Sequence, residues 1–145
     1  MPPSKHHVAS RRIEVTDKDR EREVFRFVRA ATPNDRALVA DFLSDAARGK
    51  RARGRSAALT GHMGGMSAFR TLALARERWR DIAALARRRR PNEPIRVGEH
   101  IARVMLRAGN GFAYEDLGHP DGHLTIWGAP NDLAGSVVEI VPAEL

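Results

Sequence analysis

Two hydrophobic periods divide this chain, and the boundary falls near Pro94. Before it, apolar residues mostly recur every three or four positions; after it, they alternate. The strongest helical pattern covers about residues 70–90, where Leu72, Ala75, Trp79, Ile82 and Ala86 form one stripe. Pro91 and Pro94 stop it. An earlier helix is expected after Thr32-Pro33-Asn34-Asp35, because Leu38, Val39, Phe42 and Leu43 follow at helical spacing. Thr16 and Asp19 have the spacing of a capping box, so DKDRERE could open another. One early segment breaks the rule. In VFRFVRA (24–30), Phe25, Phe27 and Arg29 share one face and Val24, Arg26 and Val28 the other. That alternation predicts a strand, with a short helix as its competitor. A short apolar stretch, MSAFRT (66–71), leads directly into the long helix.

Past Pro94, His100, Ala102, Val104 and Leu106 alternate with Ile101, Arg103, Met105 and Arg107. Ala108-Gly109-Asn110-Gly111 makes a turn, FAYEDL returns, Gly118 to Gly122 turns again, and HLTIWG follows as a third strand. Ala129-Pro130-Asn131-Asp132 could cap one or two helical turns, and SVVEIVP reads as a last strand. The fold class is therefore α+β: a single domain with helices in the first two-thirds and a mostly antiparallel sheet built largely from residues 95–141. Residues 1–15, with Pro2, Pro3, His6 and His7, read as a flexible basic tail. Residues 16–145 form the domain, interrupted by a mobile Arg-rich loop over 47–65.

At 145 residues the chain can bury one real core. No apolar run approaches the roughly 18 residues of a membrane span, and MPPSKHHVASRR has no apolar h-region. The chain has no cysteine, which removes disulfides, a thiol nucleophile and thiolate metal sites. A soluble cytoplasmic protein is the simplest expectation. Charge is uneven: residues 1–94 carry 22 Lys/Arg against 11 Asp/Glu, and residues 95–145 carry 3 against 7. A basic surface of this kind attracts phosphates. The candidate anion or nucleic-acid contacts are Arg48, Lys50, Arg51, Arg53 and Arg55 in the loop, and Arg87, Arg88, Arg89 and Arg90 at the helix end. Two plainer accounts compete. With 22 Arg to 3 Lys in an Ala-rich chain, GC-rich codon usage explains the excess equally well. The helix dipole also favours cations in a last turn.

Ionisable and aromatic side chains are densest in Gly111–Gly128, GFAYEDLGHPDGHLTIWG. A carboxylate at Glu115 or Asp116 could be a general base or bind a ribose hydroxyl; the alternative is a solvated strand end. His119 and His123 bracket the Pro-Asp-Gly turn and could serve acid–base chemistry; in the plainer alternative His123 starts a strand and hydrogen-bonds the turn, and His119 is solvated. No third ligand supports a metal site. Trp79 belongs to the helix stripe, and Trp127 is core or a stacking surface. GHMGGMS (61–67) lacks the Walker ending but could offer backbone N–H groups to an anion ahead of the helix.

The order of these elements resembles small ADP-ribosyltransferase-like domains, including the compact toxin-type members, over about residues 24–141. The matching parts are a strand carrying an arginine (FRFVRA), an intervening segment, a short strand set directly before a long helix (MSAF), and a closing run of strands. The resemblance implies that Arg29 binds the phosphates of a nicotinamide dinucleotide, with Tyr114 as a further cofactor contact. Ser67 takes the family's mid-chain serine position. Glu115 is the nearest candidate for the catalytic glutamate, although it precedes the strand expected to carry that residue. With His123, these make the catalytic set, with NAD as cofactor and no metal. Two alternatives stay open: a non-catalytic nucleic-acid binder, and an adaptor or immunity-type protein that meets an acidic partner through its arginines.

Overall fold

β2 (Arg22–Val28) and β4 (His100–Leu106) form the spine of the sheet, paired antiparallel along seven residues from Arg22↔Leu106 to Val28↔His100. The computed structural model describes residues 12–43 and 64–145. Five further strands complete a seven-stranded antiparallel sheet: β1 (Ile13–Glu14), β3 (Met66–Phe69), β5 (Ala113–Glu115), β6 (His123–Trp127) and β7 (Val137–Pro142). Their order across the sheet is β1-β5-β6-β3-β2-β4-β7. The α+β class is as the alternation predicts, and β4 to β7 all follow residue 95. Two earlier strands, β2 and β3, occupy the middle of the sheet.

The sheet has a seam. β2 and β3 share one registered pair, Phe25↔Phe69, and part beyond it. On one side lies the ladder β2-β4-β7; on the other, β3-β6-β5-β1. Each strand's alternation sends one set of side chains to each face. Val24, Val28, Met66, Ala68, Val104, Tyr114 and Ile126 join one core cluster, closed by Leu38, Phe42 and Leu133. The opposite face carries Phe25, Phe69 and Ile101, packed with Ala75, Trp79 and Ala83 of α1 (Leu72–Arg89). Thr71 caps α1 by accepting the Leu74 N–H at 3.1 Å, and the buried stripe follows the predicted helix face. Trp79 is 1% exposed, and its indole donates to the Gly98 carbonyl at 2.8 Å.

Two helical expectations are corrected. DKDRERE yields only a 3-10 turn, Lys18–Arg20, because the chain enters β2 at Arg22, and Glu21 accepts the Ala108 N–H at 2.9 Å. The segment after Asp35 is also 3-10, Arg36–Phe42. Its far end is tethered to β2, since Asp41 accepts the Ala30 N–H at 3.1 Å and its carbonyl accepts from Arg26 at 2.9 Å. The helical turn after Ala129 forms as α2 (Pro130–Gly135). Residues 12–15, assigned above to the tail, include strand and core positions. Ile13 pairs with Tyr114, and Val15 is 2% exposed in the core, so order begins before residue 16. Residues 1–11 and 44–63, with the candidates Arg48, Lys50, Arg51, Arg53 and Arg55, lie outside the described residues. Among the described residues, no helix is long and apolar enough to cross a membrane.

Candidate functional site

Where β2 and β3 part, a cleft of about 340 Å³ opens. Its walls come from β2 (Arg26, Phe27 and Arg29), the 3-10 helix (Asp41), β3 (Ser67) and the loop ahead of β4 (Arg96 and Val97). The opening has a direct cause. Arg26 lies on the inward face between Val24 and Val28, where it donates to the Asp41 carbonyl at 2.9 Å and the Ser67 carbonyl at 2.6 Å. Its guanidinium thus bridges the two strands where their ladder stops. Arg29 projects from the other face and is held by the Arg96 carbonyl, which accepts from Nε at 3.0 Å and Nη2 at 2.8 Å. With two of its five N–H groups so used, a fixed guanidinium still has donors for a ligand. Among the described residues the lining carries three arginines against one carboxylate, so the cleft favours an anion.

Ser67 is exposed, and its hydroxyl lies 3.1 Å from Nε2 of His123, on the adjacent strand β6. The imidazole stands edge-on to Phe69, with ring centroids 6.1 Å apart at 78°. The turn before it is fixed on both sides. Asp121 accepts the His123 main-chain N–H at 2.9 Å, and the Arg70 side chain donates to the His119 carbonyl. A Cβ on Gly122 would stand 2.6 Å from Leu74 Cδ1, so only glycine lets this turn lie against α1. The His123 N–H, outweighing slight burial, and then the charges of His123, His119 and Arg78 hold the Asp121 carboxyl below the usual carboxylate range.

No protein-family model, curated protein or solved structure matches this chain.

The structure therefore brings Arg29 and Ser67 together at one cleft, with His123 behind Ser67, and leaves the other candidates apart from it. Glu115 shares the Ser67 face, but Thr125 stands between them in register, which puts it two strand spacings, about 10 Å, away. It is 7% exposed, so it is not the solvated strand end of the alternative reading. Tyr114 faces the opposite side and is core, 8% exposed with Arg22 over its ring at 5.1 Å, which removes it from the cofactor contacts. Asp116 is clamped by Arg22 at 2.6 Å and Arg70 at 3.3 Å. Burial pushes its carboxyl up, but the Gly118 N–H and both guanidiniums together hold it below the usual range.

None of Arg87, Arg88, Arg89 and Arg90 lines the cleft. Arg87 pairs with Glu144 at 3.1 Å and Arg90 with Glu93 at 3.6 Å, while Arg88 and Arg89 are exposed. Gly64 and Gly65 precede β3 rather than the helix, so they offer no N–H groups at its start. Among the described residues no group of His, Asp and Glu could hold a metal ion. Sequence reasoning missed Arg26, Asp41 and Arg96. The first two carried a signal: each is a charge set among inward-facing apolar neighbours, Val24 and Val28 for one, Leu38 and Phe42 for the other. Arg96 carried none.

Proposed function

We propose that this chain is a small cytosolic effector domain of ADP-ribosyltransferase-like architecture that binds a nicotinamide dinucleotide in the seam cleft. One observation carries the reading: Arg29 and Ser67, from strands that meet only at Phe25↔Phe69, line the same cleft. Those are the positions to which the resemblance gives the dinucleotide phosphates and the family's mid-chain serine. The chemistry suits them. A planar, pre-positioned guanidinium pairs with phosphate oxygens in bidentate fashion, and an exposed hydroxyl both donates to and accepts from a sugar. A cleft of about 340 Å³ lies at the small end of ligand sites, enough to seat part of a dinucleotide. Glu115 does not line this cleft, so the proposal concerns the binding cleft and the transfer chemistry without that carboxylate.

The test is thermal. Ligand at one hundred times its Kd adds about 2.7 kcal/mol of stability, on the order of 10 °C for a chain of this length. Millimolar NAD should raise the melting temperature, and Arg29→Ala should remove the shift. An unchanged melting temperature for the native chain at millimolar NAD rejects the reading. The guanidinium excess in the cleft supports a second reading, non-catalytic binding of a nucleic-acid backbone. That affinity would fall steeply with salt, as neutralised phosphates release counterions.

A further inference from the structure

We infer that Ser67 and His123 form a proton relay at the cleft, and that the group accepting the transferred ribosyl moiety is therefore a hydroxyl, water being the simplest. The inference rests on the dinucleotide-binding reading of the cleft. It starts from the pair itself: Ser67 Oγ lies 3.1 Å from His123 Nε2, with the hydroxyl exposed at the cleft wall and the imidazole half-buried behind it. A proton arriving at the serine oxygen has an acceptor one hydrogen bond away.

The carboxylates of this region are otherwise engaged. Asp41, 5% exposed, holds the Ala30 N–H; Asp121 holds the His123 N–H; Asp116 sits between Arg22 and Arg70. Glu115 lies beyond Thr125. Charged and titratable groups around His123 include His119, with its ring centroid 5.9 Å away, and Asp121 in the turn; Arg70 holds the His119 carbonyl, and Arg78 of α1 acts on Asp121. An imidazole changes charge between about pH 5 and 8, which suits it to receive a proton at neutral pH. It is far too weak a base to deprotonate a guanidinium or an ammonium, and three cleft arginines repel any cationic acceptor. A neutral hydroxyl meets neither obstacle.

The step balances. The acceptor O–H gives its proton to Ser67 Oγ while Ser67 passes its own to His123 Nε2. The acceptor oxygen bonds to the ribose anomeric carbon. The bond from that carbon to the pyridinium nitrogen breaks, its electron pair stays on nitrogen, and nicotinamide leaves neutral. The imidazolium then releases its proton to water.

The experiment measures NAD binding by calorimetry and nicotinamide release in water for the native chain, His123→Gln, Ser67→Ala and Ser67→Thr. His123→Gln should bind NAD within about threefold of native, yet lose roughly a hundredfold or more in kcat. It should also lose the acid limb of the kcat–pH profile, which a merely structural role would not remove. Ser67→Ala should cost a similar factor, the double variant little more, and Ser67→Thr should recover much of the rate. If His123→Gln keeps its rate or its acid limb, the relay is wrong and the binding site stands. If the native chain binds NAD but releases no nicotinamide, the relay is again refuted. If the native chain binds no NAD, the cleft reading itself falls.

Discussion

Asp116 shows how much the surroundings of a carboxylate change between adjacent positions. Glu115 and Asp116 differ by one step along the chain, so they leave β5 on opposite sides. Asp116 meets two guanidiniums, and it also accepts the Gly118 N–H at 2.9 Å. Its carboxyl is held below the ordinary range in the folded chain. A group with a depressed folded pKa adds stability above its unfolded value, about 3.9, and loses it as pH falls through the folded value. Asp116→Asn should therefore cost about 2 kcal/mol at pH 7, the worth of hydrogen bonds to a charged group. The difference from native should close below about pH 4. Urea unfolding of both chains across pH 3 to 7 reads this directly; a gap that persists undiminished at the acid end contradicts the ion-pair account. What the pair of arginines achieves is local: Arg70 also holds the His119 carbonyl, so the turn that presents His123 is braced from the same residue.

The turn before β4 ties a helix to a strand. Gly98 adopts φ +96°, its carbonyl receives the Trp79 indole at 2.8 Å, and a Cβ there would stand 2.1 Å from the Val28 carbonyl oxygen. Gly98→Ala combines left-handed strain, about 1–3 kcal/mol alone, with a backbone clash that must push β4's approach away from β2. A loss of about 3 kcal/mol or more in chemical denaturation is expected; near-native stability would show that this contact is not tight. These elements also show what sequence can reveal. Trp79 on its stripe, the alternation of 100–107 and the turns at 108–111 and 118–122 are local patterns, and each forms its expected element. The two early helical segments depart from the expected form through distant partners: DKDRERE shortens to one 3-10 turn as Glu21 meets Ala108, and the segment capped by Asp35 winds as 3-10 with Asp41 tied to Ala30. The cleft follows the same logic. Arg29, Ser67 and His123 could be singled out by residue type, but their convergence depends on a strand order that places β3 between β2 and β6. No spacing along the chain encodes that order, and Glu115, chosen by proximity in sequence, ends two strands away.

At the scale of the molecule, the sheet is two ladders meeting at a seam, and the site lies on the seam. The β2-β4-β7 ladder is long: seven registered pairs join β2 to β4 and five join β4 to β7. The other ladder shortens outward, from four pairs between β3 and β6 to three between β6 and β5 and two between β5 and β1. Backbone between them is joined by Phe25↔Phe69 and supplemented by the Arg26 guanidinium on the Ser67 carbonyl. Local opening free energies follow such differences, since short strands with few partners open without the rest. Hydrogen exchange should accordingly be slowest over 22–28 and 100–106, limited there by global unfolding, and faster over 66–69 and 113–127. Equal protection across both ladders would mean that the sheet opens as one unit and that the seam has no energetic meaning. The seam also fixes what a ligand must do. Arg29 follows β2 of the first ladder and Ser67 lies in β3 of the second, so a molecule held by both spans the gap between them. Bound NAD should then raise protection chiefly over 66–69 and 113–127, because that half gains the ties it lacks. Arg29→Ala should abolish the increase, since the ligand would lose its hold on the stable side.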